Sequence, residues 1–391
     1  MHMFNKITPE GTKDYLFEEC RAREATRHAL SEVFEAYGYA PIATPHMEFF
    51  DVFRGETSDW LSEKFYSVTD SRGRLLVMRP DSTLPIARVA ATRLQNETLP
   101  LRLYYHQSVF RRSKVYTGRK DEMMQCGVEF LGAEGMRADL EIISCAVDAL
   151  QRCEAPRFHL ELGHAGIFAS LADGLGIEGE AREALIYAVK TKNVPSLQSL
   201  LAPYEGLEAQ ALLALPKLFG GVEVFSKAQK LLRAPEACKA LEYLQNLYEN
   251  CKALGFGEYV DIDLGLVHGQ QYYTGLVFRG YIEGSGKRVL SGGRYDKTLA
   301  AFGRPAAAVG FALSLDPLAE ALLENGKLPA KTAAEVLVFG AAGQEAKALA
   351  RCRELRAQGI VCECAPFDTL KAAQEYAQSH GISQVEALNE E

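Results

Sequence analysis

The chain has 391 residues, 48% of them hydrophobic and 24% charged, with a formal net charge of −8. That balance fits a globular protein of two or three domains with a sizeable core. It argues against a chain devoted to gripping nucleic acid, which concentrates Lys and Arg, and no apolar run approaches the ~18 residues needed to span a bilayer.

The stretch CRAREATRHALSEVFEAYGY places Ala22, Ala25, Ala29, Leu30, Val33, Phe34 and Tyr37 at helical spacing, and Gly38 follows where a terminating glycine belongs. APIATPHME reads as a short strand interrupted by Pro45, which favours an edge or an interface. From Phe65 to Leu131 the pattern is antiparallel strands with one short helix. RLLVMRP is a strand closed by Pro80, and DSTLPIARVAATRL is a helix with cap candidates at its start. LPLRLYYHQSVFRR and DEMMQCGVEFLGAE are two long strands joined by the polar loop SKVYTGRK. RADLEIISCAVDALQRC is a strongly patterned helix, and RFHLELGH alternates as a strand.

Residues 169–255 change character: rich in Ala, Leu, Glu and Lys and without a convincing strand, they read as a helical insertion. Strand patterns resume in YVDIDLGL, YYTGLVFRGYI, KRVLSGGRYD and then AAAVGFALSLDPLAEALLE. The division expected is a core over 1–325, a linker over 326–333 and a small α/β unit over 334–391, the last alternating strand and helix as a parallel sheet does. The nine cysteines include no Cys-x-x-Cys pair; Cys362 and Cys364 would share one face of a strand. Free thiols in a reducing cytosol are expected, with no metal site. MHMFNKITPEGTKDY carries no apolar secretory run, so the expected location is cytoplasmic.

One strand carries candidate chemistry. In MMQCGVEFL, Met124, Cys126, Val128 and Phe130 form a packing face, and Gln125, Gly127 and Glu129 form the other. An amide, a gap and a carboxylate in a row can hold a small polar ligand, although a solvated face would read the same way.

Other segments decide between these. RPDST, FRRS, QCGVEFLG, YYTGLVF, SGGRYD and VGFALSLDPL occur in an order and spacing that resembles the histidyl-tRNA synthetases, from about Thr8 to Leu318. The resemblance implies an α+β fold: a class II aminoacyl-tRNA synthetase-like antiparallel sheet with flanking helices, a helical insertion and a small C-terminal α/β unit, here a truncated anticodon-binding-like domain. It also implies a dimer through the first motif, around Gly38 to Glu48.

The departures from that family concern ATP. Where its third motif ends in Gly-x-Glu-Arg, this chain has Ser314, Leu315, Asp316 and Pro317. A proline offers no charge to a triphosphate. Ser113 stands where the second motif has Glu, although Arg111 matches. His268 replaces an arginine, and Gln270 and Gln271 replace Leu and Asp. The amino-acid side survives better. By resemblance Asp81, Thr83 and Gln125 hold an α-amino group, Glu129 and Tyr273 bracket an imidazole, and Tyr272, Gly292, Gly293, Arg294 and Tyr295 form the remaining walls. Arg111 and His268 complete the expected histidine-binding set. An imidazole with one N–H needs an acceptor at one end and a donor at the other.

A pocket that keeps its grip on histidine but lacks the cations for ATP is similar to the synthetase-like regulatory subunits of ATP phosphoribosyltransferase. What that resemblance implies is no catalytic residue and no cofactor in this chain. Its partners would be the short-form ATP phosphoribosyltransferase catalytic subunit, a second copy of itself and free histidine, with feedback on the first step of histidine biosynthesis. A divergent active histidyl-tRNA synthetase, or another histidine- or tRNA-sensing paralogue, remains the alternative. Asp261 and Asp263 are spaced as in phosphoribosyltransferases, but no phosphate-cradling loop follows. They read as structural, as do His159 and His164, while His28 on the first helix reads as a surface residue.

Overall fold

In a computed structural model, residues 6–54, 65–113, 120–267, 273–286, 288–328 and 333–388 are described. Helix α1 (Phe17–Ala36) buries Ala22, Thr26, Leu30, Val33 and Phe34, one stripe at 3.6-residue spacing. Glu19 reaches back to the Leu16 amide at 3.5 Å, and Gly38 takes the left-handed conformation (φ 79°) that ends the helix. The APIATPHME segment is not one strand. Ala40–Pro41 (β1) and Met47–Phe49 (β2) join different sheets, and Pro45 lies between them. Arg79, 2% exposed, clamps this crossing: its Nη1 donates to the carbonyls of Thr44 (2.6 Å) and Pro45 (3.1 Å), and its Nε to that of Ser108 (2.7 Å). Removing a buried cation that satisfies three carbonyls strands them, so Arg79→Met is expected to cost about 3 kcal/mol in urea denaturation.

β2 forms a small antiparallel sheet with β3 (Ser67–Thr69) and β4 (Leu75–Met78), in the order β2-β4-β3. The chain then enters α2 (Thr83–Ala91) and the two long strands β5 (Leu101–Phe110) and β6 (Glu122–Leu131), paired antiparallel from Leu101↔Leu131 to Phe110↔Glu122. Next come α3 (Gly135–Arg152), β7 (Phe158–His164) and α4 (Ala165–Gly174). The remaining helices of the helical block are α5 (Gly179–Lys190), α6 (Val194–Leu201), α7 (Leu207–Ala214), α8 (Glu223–Leu231) and α9 (Pro235–Ala253). The block differs from the sequence reading in two ways. It begins directly after β7, where His164 Nδ1 caps α4 by accepting from Gly166 N at 3.1 Å. It also holds a strand, β8 (Phe219–Gly220), antiparallel to β9 (Val260–Asp263) and too short to leave an alternation signal.

With β10 (Leu276–Ile282), β11 (Arg288–Arg294) and β12 (Ala308–Ser314), nine strands among the described residues form one sheet, β1-β5-β6-β12-β11-β10-β7-β9-β8. It is antiparallel except at its flanks, where β1 runs parallel to β5 and β7 parallel to β9. One face packs on α1, α3 and the helical block through Phe34, Val128, Phe130, Ile142, Ile143 and Phe311. The other packs on α2 through Ile86, Ala87 and Ala90 against Leu103, Tyr105 and Tyr295. Helix α10 (Leu315–Glu324) follows β12 without a loop.

His106 on β5 lies on the α1 face, 2.8 Å from Ser31 Oγ through Nε2, and its buried Nδ1 has no hydrogen-bond partner. Burial first, then Arg27, pushes its pKa down to about 4. The native state therefore binds this proton less readily than the unfolded chain. Its contribution to stability is full above the usual histidine pKa of about 6.5 and is lost as pH falls through about 4. Urea midpoints at pH 7 and pH 5 should differ by about 2 kcal/mol more in the parent than in His106→Asn.

The chain divides into Met1–Leu328 and a second unit, Pro329–Glu391. Within the second, β13 (Val336–Phe339), α11 (Glu345–Ala357), β14 (Cys362–Cys364), α12 (Leu370–His380) and β15 (Gln384–Ala387) build a parallel sheet of order β14-β13-β15. No helix among the described residues is long and apolar enough to cross a membrane.

Candidate functional site

The register of the central strands assembles the site on the α2 face of the sheet. Glu129 pairs with Gly310 and Leu103, Gly127 with Tyr105 and Ala312, and Gln125 with Gln107 and Ser314. Residues directly opposite in a ladder share a face, so Glu129, Gly127, Gln125, Tyr105 and Ser314 all look the same way. Gly293 pairs with Gly310 and joins them. From α2, on the roof of this face, Thr83 descends.

Glu129 is the centre of the cluster and is 2% exposed. Thr83 Oγ1 donates to its Oε1 at 2.7 Å, and the Tyr295 hydroxyl donates to its Oε2. Burial outweighs both of these hydrogen bonds and, helped by the Asp81 charge, raises the carboxyl to about 8. Glu129 is therefore largely protonated at neutral pH. Asp81, half-buried before α2, accepts from Leu84 N at 3.1 Å. Burial pushes its pKa up, against that N–H and the Arg111 charge. Arg111, at the end of β5, donates through Nε to the Pro80 carbonyl at 2.6 Å. Burial depresses its pKa while Asp81 raises it. Burial likewise raises the phenols of Tyr105 and Tyr273, each further raised by Glu129. The cluster thus holds two carboxyls, one guanidinium and three tyrosines, a set able to receive an ammonium and an imidazole N–H.

Three glycines make room for these groups. A Cβ on Gly127 would lie 2.7 Å from the Tyr105 hydroxyl, and one on Gly293 2.6 Å from the Tyr273 ring. One on Gly310 would overlap the Glu129 carboxylate. The space over Gly127, which the sequence suggests for a ligand, is filled by Tyr105. The sequence reading missed Tyr105 as a wall, although its place two residues from both Leu103 and Gln107 puts it on this face.

The expected site residues divide three ways. Asp81, Thr83, Arg111, Gln125, Glu129 and Tyr273 fall on or around this face. His268 and Tyr272, with Gln270 and Gln271, lie outside the described residues. Arg294 does not belong with the others. It is one step along β11 from Gly293, so its side chain emerges on the α3 face. There Nε (3.0 Å) and Nη2 (2.5 Å) donate to Asp139 Oδ1, and Nη1 donates to the Ala133 carbonyl and to Asp296, each at 3.1 Å. The same cavity wall carries Tyr243, whose hydroxyl donates to Asp139 Oδ2 at 2.6 Å.

At the position of the third motif, Asp316 is 8% exposed and tied within the protein. Arg23 forms an ion pair with it, Lys120 Nζ lies 2.8 Å from its Oδ2, and the Tyr15 hydroxyl donates to the same oxygen at 2.8 Å. Pro317 occupies the first turn of α10, where its missing N–H costs nothing. Ser113 donates its amide to Asp121 Oδ1 at 2.9 Å. Asp121 also receives the Tyr66 hydroxyl and packs against Gly11 so closely that a Cβ there would lie 2.7 Å from its own. Among the described residues, no group of three or more His, Cys, Asp and Glu is arranged to hold a metal.

This sheet, its helical roof and the carboxylate–tyrosine cluster define a class II synthetase-like protein. The model of the histidyl-tRNA synthetase family matches residues 11–318. An ATP phosphoribosyltransferase regulatory subunit from Clostridium kluyveri is 39% identical over 98% of this chain and 99% of its own. One from Clostridium acetobutylicum is 36% identical over 97% and 94%. A crystal structure described as an ATP phosphoribosyltransferase regulatory subunit/histidyl-tRNA synthetase from Bacillus halodurans superposes with a TM-score of 0.86 at 29% identity, covering 99% of both chains. The histidyl-tRNA synthetase of Nostoc, at 22% identity and a TM-score of 0.76, shares the fold. The chain belongs to the family of histidyl-tRNA synthetase-like ATP phosphoribosyltransferase regulatory subunits.

Proposed function

We propose that this chain is a non-catalytic regulatory subunit that binds free histidine on the Glu129 face and activates a short-form ATP phosphoribosyltransferase catalytic subunit. It would thereby carry feedback into the first step of histidine biosynthesis in the cytoplasm, as part of a hetero-oligomer. The observation that supports it best is the fate of the third motif. Asp316 is neutralised by Arg23 and Lys120 and receives the Tyr15 hydroxyl, and Pro317 replaces the cation that a triphosphate needs. The amino-acid side keeps a buried acceptor, Glu129, beside the phenol of Tyr273 and the carboxylate of Asp81. A second copy would meet the chain near the first motif, where Met47 and Phe49 of β2 are 51% and 41% exposed.

Two measurements test this reading. The isolated chain is expected to give no histidine-dependent ATP–pyrophosphate exchange, and adding it should raise the turnover of the short catalytic subunit. Measurable exchange would make the chain a synthetase. Histidine at 100 times its dissociation constant should stabilise the chain by about 2.7 kcal/mol in thermal denaturation. No shift at millimolar histidine would remove the pocket while leaving the activating role to the first assay.

A further inference from the structure

Three thiols converge in the second unit. Cys362 and Cys364 alternate along β14 and share the face that α11 covers, and Cys352 descends from α11 between them. The Cys352 thiol is 3.7 Å from the carbonyl of Glu363, the residue separating the other two. The Cys362 thiol donates to the Cys352 carbonyl at 3.4 Å, and after burial both neighbouring thiols help hold the Cys352 thiol above its usual range. Their exposure differs. Cys352 is fully buried and Cys362 6% exposed, whereas Cys364 is half-exposed on an outer strand of the sheet. Sheet geometry separates their roles further. Side chains two residues apart on a strand stand parallel, and disulfides need Cβ atoms about 3.8 Å apart with vectors that converge. Cys362 and Cys364 therefore pair poorly with each other, while Cys352 faces them from the opposite layer.

We propose that Cys364 and Cys352 are a dithiol modification site that a low-molecular-weight disulfide of the glutathione class converts to an intramolecular disulfide. The Cys364 thiolate, the accessible member, attacks one sulfur of the oxidant. A Cys364–oxidant mixed disulfide forms, and one small thiolate leaves. Cys352 then gives up its proton and attacks the Cys364 sulfur, expelling the second small thiolate. The protein loses two hydrogens, and one oxidant molecule becomes two thiols. Burial raises the Cys352 thiol to about 12, which makes it a poor first attacker. As second attacker it acts on a sulfur already held beside it, where proximity compensates for low thiolate content. The product staples α11 to β14 and restricts the unfolded chain, which stabilises the unit.

The test treats the full chain with oxidised glutathione and maps its peptides by mass spectrometry. The expected result is a Cys352–Cys364 peptide pair and a melting transition of the second unit raised by several degrees, reversed by dithiothreitol. Cys362→Ser, and Cys20→Ser with Cys238→Ser at the two exposed cysteines, should leave both unchanged. Cys352→Ala should trap the glutathione adduct on Cys364, which also shows that Cys364 is reached in a folded chain. No reaction, a stable adduct on Cys364 in the parent chain, or a bridge mapped to any other pair would overturn the proposal.

Discussion

Glu129→Gln is expected to make the empty chain more stable and the histidine response weaker, two changes of opposite sign from one isosteric substitution. The reason lies in the carboxyl raised to about 8. A group whose folded pKa exceeds its unfolded value contributes fully below the unfolded value, about 4.5, and loses that contribution as pH rises through the folded one. At pH 7 the native chain must hold Glu129 protonated when the unfolded chain would not, which costs about 3 kcal/mol. Glutamine keeps an oxygen to accept from one of the two hydroxyls, turns its NH2 toward the oxygen of the other, and removes that cost. The amide cannot supply the charge-assisted acceptor that an imidazole N–H or an ammonium would meet, a contact of about 1.5–3 kcal/mol. Urea denaturation at pH 7 should show the gain, and the thermal shift with histidine should fall by at least tenfold in apparent affinity. The parent's stability should also decline between pH 7 and pH 9 more steeply than the variant's. If Glu129→Gln left the histidine shift intact, the ligand would not be meeting this carboxyl.

How much of this was legible beforehand depended on the period of each element. The alternation in MMQCGVEFL placed Gln125 and Glu129 on one face because a strand permits no other arrangement, and the helical stripe of α1 was equally plain. The two-residue β8 offered no alternation. The APIATPHME segment looked like one strand because Pro45 marks a break without saying that the halves join different sheets. That depends on Arg79, which lies 35 and 34 positions beyond Thr44 and Pro45, the residues it clamps. Tyr105 was hidden for the opposite reason: LYYHQ is apolar and aromatic on both faces, and only pairing with Gly127 shows which tyrosine enters the site. The partners of Asp316 come from α1, the N-terminal arm and Lys120, contacts that no local pattern encodes.

Arg294 is the clearest case, and its substitution carries the largest stability change expected. Motif resemblance put it among the pocket walls because Gly292, Gly293 and Tyr295 surround it in sequence. A strand reverses face at every residue, so adjacency to Gly293 sends Arg294 to the other side. There its guanidinium is satisfied by Asp139, Asp296 and the Ala133 carbonyl, and the partners sit in a buried layer where Asp139 is fully enclosed. Breaking such a pair by removing one member leaves an uncompensated charge, a loss of about 3–5 kcal/mol. Arg294→Met should therefore lower the denaturation midpoint severely. Arg294→Lys should rescue little, since one ammonium cannot reproduce the paired Nε and Nη2 donors to Asp139 Oδ1. Adding Asp139→Leu to Arg294→Met should restore part of the loss, because both charges are then gone. Below its lowered transition, the Arg294→Met chain should still respond to histidine as the parent does, since the pocket lies on the opposite face of the sheet. A variant that kept its stability and lost the response would return Arg294 to the pocket wall and reverse the face assignment of β11.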